Sequence, residues 1–137
     1  MRSRVLIADD DPELRLLLRL MLARDGYDVI EAETGEQVLQ RAIDSSPALI
    51  LLDIMMPGIN GFETCRQLKS DGRSSRVPVI FVTALGDRQS REQGLAAGAD
   101  DYVVKPIDPK ELRRRIQAFV QQNGSDPVLG PLQAKAT

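Results

Sequence analysis

The sequence predicts an α/β fold of the doubly wound kind, a (βα)5 three-layer sandwich with one parallel five-stranded sheet between two layers of helices. Three observations predict it. Strand-like and helix-like patterns alternate five times along the chain. Leu49-Ile50-Leu51-Leu52 is an unbroken aliphatic run closed by Asp53 and a Pro57-Gly58 turn, which reads as a strand buried on both faces. Polar and charged residues gather directly after the strand-like runs, where a parallel sheet opens into loops.

Val5-Leu6-Ile7-Ala8 is the first strand and ends in Asp9-Asp10-Asp11. Asp11-Pro12 starts a helix, a capping residue before a proline at the first helical position. Leu14, Leu17, Leu18, Met21 and Leu22 form its predicted buried stripe, and it stops near Asp25-Gly26. The second strand is Tyr27 to Ala32. Thr34 then caps a helix to about Asp44, with Val38, Leu39, Ala42 and Ile43 as its apolar face. After the Leu49–Leu52 strand, a helix runs from Phe62 to about Ser70 and packs with Cys65 and Leu68. Asp71 to Ser75 is a polar loop. Val77 to Val82 is the fourth strand, ending at Thr83, and a weakly apolar helix covers Asp87 to Ala97. Asp101 to Val104 is the fifth strand, ending at Lys105-Pro106. Asp108-Pro109 opens the last helix, with Leu112, Ile116, Phe119 and Val120 inward. Residues 1–122 are therefore one domain. From Asn123 the Gly, Ser and Pro content of 123–137 reads as a flexible tail or the start of a linker.

Composition excludes several classes. At 137 residues, 42% hydrophobic and 28% charged, the chain can bury one proper core. A net charge of -2 argues against a basic nucleic-acid footprint, and no apolar run approaches the roughly 18 residues of a bilayer span. The start Met1-Arg2-Ser3-Arg4 enters a strand without a signal-peptide pattern, and the single cysteine suits a reducing compartment; a cytoplasmic location is expected. No histidine is present, so histidine catalysis and histidine-rich zinc sites are excluded, and the chain cannot itself carry a phosphohistidine.

The strand ends carry Asp9 and Asp10, Asp53, Thr83 and Lys105. Carboxylates drawn to one sheet edge repel one another and call for a cation. Oxygen ligands that are few in number and leave room for waters favour Mg²⁺ over zinc or a caged calcium. Lys105 is a compact cation suited to a phosphoryl oxygen, Thr83 can donate a hydrogen bond to the same group, and a carboxylate can act as nucleophile to give an acyl phosphate. Asp53 is the best candidate nucleophile, because it ends the fully buried run. Each residue also has a plain structural role open to it. Asp9, Asp10 and Asp11 suit helix capping, Thr83 could cap the helix after it, Asp53 could be a turn acid and Lys105 a surface lysine. Arg113-Arg114-Arg115 reads as a solvated helix face more than an acidic-partner contact, with Arg88 and Arg91 as further members of such a surface.

Taken together, Val5-Leu6-Ile7-Ala8-Asp9-Asp10, Leu51-Leu52-Asp53-Ile54-Met55-Met56-Pro57-Gly58, Val82-Thr83-Ala84, Gly98-Ala99-Asp100-Asp101-Tyr102 and Lys105-Pro106 resemble the receiver domains of two-component response regulators, over about Arg4 to Gln121. The resemblance implies a flavodoxin-like fold with strand order 2-1-3-4-5. It implies phosphorylation of Asp53 by a sensor histidine kinase or histidine phosphotransfer protein. It implies Mg²⁺ held by Asp10 directly, by Asp9 mainly through water, and by Asp53 and the Met55 carbonyl, with Lys105 on the phosphoryl group and a cis Lys105-Pro106 bond. Thr83 and Tyr102 would be the switch pair, Thr83 swinging to the phosphoryl group and Tyr102 rotating inward. The signalling or homodimer surface would be the last two helices and the fifth strand. Two departures are small: Asn60 stands where an acid is common, and Ile107 where phenylalanine is frequent. Met55 and Leu85 flank the pocket where side chains influence attack by water; both are apolar, which implies a long-lived phosphoaspartate.

A phosphatase or phosphotransferase of the haloacid-dehalogenase type would need an acid two residues after its nucleophile, where Met55 stands. An adaptor that keeps only the fold would have no use for the full acidic and basic set. The chain is thus expected to be a switch rather than a turnover enzyme, either as a single-domain regulator or joined to an output domain after residue 123.

Overall fold

The computed structural model describes residues 2–122. The proposed tail, 123–137, lies outside them. Ten elements alternate: β1 (Arg4–Ala8), α1 (Pro12–Arg24), β2 (Asp28–Ala32), α2 (Gly35–Ser45), β3 (Leu49–Leu52), α3 (Gly61–Ser70), β4 (Val79–Thr83), α4 (Arg88–Ala96), β5 (Asp101–Val104) and α5 (Pro109–Gln122). All strand pairs are parallel and the sheet order is β2-β1-β3-β4-β5, as expected. β3 is the middle strand and every one of its residues is buried. Alternate residues of one strand point to opposite faces, so Ile50 and Leu52 join a core with α2 and α3, and Leu49 and Leu51 join one with α1 and α5. Each such side chain contributes about 1.5–3 kcal/mol by leaving water.

Helix starts are set by polar side chains. Asp11 accepts from Glu13 N–H, Thr34 from Gln37 N–H, Asn60 from Glu63 N–H and Asp87 from Ser90 N–H, each worth about 1 kcal/mol. Past the Asp25 cap of α1 stands Gly26, whose φ of +94° suits glycine, with Tyr27 N–H bonded back to Leu22 carbonyl.

Three sequence expectations shift. Leu17 is not in the buried stripe: Leu16, Leu17 and Leu20 are 46%, 52% and 57% exposed, and Leu18 and Leu22 are the buried pair. α1 carries leucine almost all round, and the sheet covers only one side of it; Leu17 is turned about 100° from Leu18. β2 begins at Asp28 because Tyr27 N–H is taken by the end of α1. β4 begins at Val79 because Val77 N–H closes the preceding turn on Ser74, while Pro78 has no N–H to give.

Candidate functional site

Register brings the polar residues together. Ala8 pairs with Leu52, and Asp53 N–H donates to Ala8 carbonyl at 2.9 Å, so Asp9 and Asp53 leave neighbouring strands side by side. On the other flank Thr83 pairs with Val104, and Lys105 N–H donates to Thr83 carbonyl at 2.7 Å. The Lys105-Pro106 bond is cis.

The result is an acidic cup. One carboxylate oxygen from each of Asp9, Asp10 and Asp53 lies within 4.8 Å of the others, with Asp9 and Asp53 buried and Asp10 exposed. Lys105 Nζ donates to Asp9 Oδ2 at 2.8 Å and to Asp53 Oδ2 at 3.2 Å. Asp9 Oδ1 accepts from Asp11 N–H at 2.9 Å, and Asp53 Oδ1 from Ile54 N–H at 2.7 Å and, at a longer 3.4 Å, Met55 N–H. Burial, reinforced by the charge of Asp53, pushes the Asp9 carboxyl above its ordinary value; Lys105 and the Asp11 N–H pull against this and do not prevail. Burial alone would lower the Lys105 ammonium, yet Asp9 and Asp53 outweigh it and hold its pKa above the usual lysine value.

One ammonium facing three carboxylates leaves the cup short of positive charge. All its side-chain donors are hard oxygens and one side is open at Asp10, which fits Mg²⁺ with part of its water shell retained. Met55 sits at the rim, 63% exposed.

The helix-capping roles go to other residues, while Asp9 and Asp53 each also accept from the backbone N–H two residues on, as turn acids do. Asp11 caps α1, Asn60 caps α3 and Asp87 caps α4, so Asp9, Asp53 and Thr83 are not needed as caps. Lys105 is half-buried and bridges two acids. Arg113 pairs with Asp25, Arg114 with Glu111, and Arg115 with Asp101 and Glu111, so the basic run is a solvent-facing stretch of α5 whose members pair with acids of their own fold.

Thr83 is fully buried and its Oγ1 accepts from Leu85 N–H at 3.3 Å. Tyr102 lies inward, 8% exposed, and donates its hydroxyl to Leu85 carbonyl at 2.5 Å. Its ring is tilted against Phe81, which meets Phe62 edge-on, and the Arg91 guanidinium covers it 5.5 Å from the centroid.

Two residues escaped the sequence reading. Arg15 of α1 donates from Nη1 to Asp9 carbonyl at 2.7 Å and from Nε to Glu31 Oε1, at the end of β2, at 3.2 Å. The available signal was an arginine one turn into the helix that follows the acidic strand end, together with the acid closing β2.

Comparison with known proteins agrees with this geometry. Residues 5–117 match the model of the response regulator receiver domain. The DNA-binding response regulator MtrA of Mycolicibacterium smegmatis is 42% identical over 93% of this chain and 55% of its own length. The transcriptional regulatory protein ResD of Bacillus subtilis is 40% identical over 88% of this chain and 49% of its own. The chain thus spans about half the length of these curated relatives. Among solved structures, a putative response regulator from Chloroflexus aurantiacus superimposes with a TM-score of 0.83 at 33% identity, covering 88% of this chain and 98% of that one. The receiver domain of sensor histidine kinase PA1611 from Pseudomonas aeruginosa, which has a magnesium ion coordinated in its active-site cleft, gives 0.81 at 30% identity over 88% of this chain and 98% of its own. Family model, relatives and fold agree: the chain belongs to the receiver domains of two-component response regulators.

Proposed function

We propose that this domain takes a phosphoryl group from a phosphohistidine donor, a sensor histidine kinase or histidine phosphotransfer protein, onto Asp53 in a Mg²⁺-dependent reaction. The observation that carries the reading is Lys105 Nζ bridging Asp9 and Asp53 inside a trio of carboxylates. An Asp53 oxygen attacks phosphorus as the bond from phosphorus to the donor ring nitrogen breaks; the ring, protonated on its other nitrogen, leaves as neutral imidazole. Asp53 Oδ1 is held by Ile54 N–H, and Lys105 is placed to exchange its contact with Asp53 Oδ2 for a phosphoryl oxygen. Asp9, Asp10, Asp53 and the Met55 carbonyl would hold Mg²⁺, which would supply further positive charge to the site. Thr83 turns toward the phosphoryl group, and Leu85, bonded to both Thr83 and Tyr102, carries the change to α4, β5 and α5 as the homodimer or effector surface.

The donor docks beside the cup on α1, where Leu16, Leu17 and Leu20 form an exposed apolar ridge. We assign no DNA contact to this domain, whose chain is net acidic. No helix of the described residues is long and apolar enough to cross a membrane, and we place the switch in the cytoplasm. It acts on its own aspartate and is not a turnover enzyme. Acetyl phosphate with Mg²⁺ is expected to add one phosphate, seen by intact mass, that Asp53→Asn abolishes; an adduct that persists in Asp53→Asn, or none in the parent, defeats the reading. With Met55 and Leu85 unable to orient a water, the adduct is expected to be long-lived, which the decay of label from the isolated phosphoprotein tests.

A further inference from the structure

We infer that Arg15 is a positioning residue for the metal-binding side of the cup, an inference that rests on the Mg²⁺ reading above. Arg15 is well sheltered for an arginine, its side chain 15% exposed. It makes two directed bonds: Nη1 to the Asp9 carbonyl at 2.7 Å and Nε to Glu31 Oε1 at 3.2 Å. Glu31 is itself fixed, because β2 pairs with β1 in a register that sets Glu31 against Ile7, two residues before Asp9. The Asp9 carbonyl belongs to the peptide joining Asp9 to Asp10. Holding that oxygen therefore fixes the peptide plane from which the exposed Asp10 departs, while the Asp11 N–H and Lys105 hold the Asp9 carboxylate. Both acids that follow β1 are thus set from behind by α1 and β2.

Charge and position make opposite demands, and this separates them. A guanidinium near a cation site repels the cation, so if Arg15 acted only through its field, removing it would tighten Mg²⁺ binding. If it holds the Asp9-Asp10 peptide, removing it weakens binding, and partners behind metal ligands are typically worth about 10- to 100-fold in affinity. Arg19 is the internal control. It pairs with the same Glu31 carboxylate at 3.3 Å, so it shares the local field, but its bond goes to Glu31 and not to the Asp9 carbonyl.

The test measures Mg²⁺ affinity by titration calorimetry on the full chain for the parent, Arg15→Gln, Arg15→Lys and Arg19→Gln, alongside the melting temperature of each without metal. Arg15→Gln is expected to raise the Mg²⁺ Kd roughly tenfold. Arg15→Lys, whose ammonium can still donate to the carbonyl, is expected to recover part of that loss, and Arg19→Gln to bind no more weakly than the parent. Arg15→Gln binding Mg²⁺ as tightly as the parent, or more tightly, overturns the inference, as does an equal loss in Arg19→Gln. Should Arg15→Gln fail to fold, Arg15→Lys decides: affinity no weaker than the parent's despite the lost second bond to Glu31, or weaker only in proportion to a lower melting temperature, counts against positioning. A parent that binds no Mg²⁺ overturns the metal reading itself, a failure distinct from an affinity that ignores Arg15.

Discussion

In the acidic cup every oxygen of the two buried carboxylates has a partner: Asp9 with Asp11 N–H and Lys105, Asp53 with Ile54 N–H and Lys105. One strand over, Thr83 and Tyr102 are joined through the backbone of a single residue, Leu85, by one bond at 3.3 Å and one at 2.5 Å. The cup is held by charge from several elements, which suits a site that must present fixed oxygens to an incoming cation and phosphorus. The Thr83–Leu85–Tyr102 link is held by few bonds on a loop, which suits an element that must choose between two packings. On the proposed function, the chemistry is built where the structure is over-determined, and its output where it is not.

Lys105→Met attacks that difference most directly. It leaves Asp9 and Asp53 buried without their common cation, which costs about 3 kcal/mol of metal-free stability, and it removes a donor worth roughly 100-fold in the transfer step. Because the pair holds the Lys105 pKa above 10.5, its contribution is complete below pH 10.5 and is lost as pH rises through the raised value. Denaturant melts from neutral to alkaline pH should therefore find the parent losing its advantage over Lys105→Met only at the alkaline end. A constant difference across that range would mean that the ammonium is not what holds the cup.

Leu17→Glu probes the approach to the cup without touching it. The side chain is 52% exposed, so stability should change by no more than about 0.5 kcal/mol. Phosphorylation by a histidine donor that serves the parent should slow about tenfold, since burying one leucine is worth about 1.5 kcal/mol or more, while acetyl phosphate should work equally well. Equal slowing with both donors would place the fault in the cup rather than on α1.

Asp9 sharpens the comparison through pH. Burial raises its folded pKa above 3.8, so the stability linked to its protonation is full below pH 3.8 and lost as pH rises through the raised value. At neutral pH the metal-free cup therefore carries a penalty that Asp9→Asn, which resembles the protonated form, avoids. The variant should melt higher than the parent without metal, by a margin that vanishes toward acid pH, and added Mg²⁺ should stabilise the parent more than the variant. No gain in metal-free Asp9→Asn would place the strain elsewhere.

Much of the cup was legible because buried parallel strands announce themselves. The aliphatic run of β3 fixed where Asp53 would stand; Asp9 and Lys105 follow their strands in the same way, and Thr83 closes β4. Leu17 was misread because α1 has leucines on several sides and periodicity cannot say which side meets the sheet. The contacts of Arg15 with Asp9 and Glu31 were illegible for a related reason. They depend on how α1 crosses the end of β2, a matter of packing that neither residue's neighbours in sequence encode. The pairing of Thr83 with Tyr102 came from the resemblance, and the cover that Arg91 gives the ring emerged only with the fold.

The last prediction tests the looser region alone. A Cβ on Gly94 would come within 3.1 Å of the Tyr102 ring and 3.2 Å of Phe81. Alanine in a helix gains about 1 kcal/mol over glycine, and overpacking costs about 1–3 kcal/mol, so Gly94→Ala should melt level with the parent or below it by up to about 2 kcal/mol. Which ring gives way matters more than the total. Phe81 is fully buried between Phe62 and Tyr102, whereas Tyr102 has only the bond to Leu85 and the Arg91 guanidinium on its outer side. Tyr102 should therefore move outward and release Leu85, changing the ring resonances of Tyr102 while those of Tyr27 stay in place. Mg²⁺ affinity, set in the cup, should be unchanged. If instead the Tyr102 resonances hold still and Mg²⁺ binding shifts, the two regions are more tightly joined than their bonding implies.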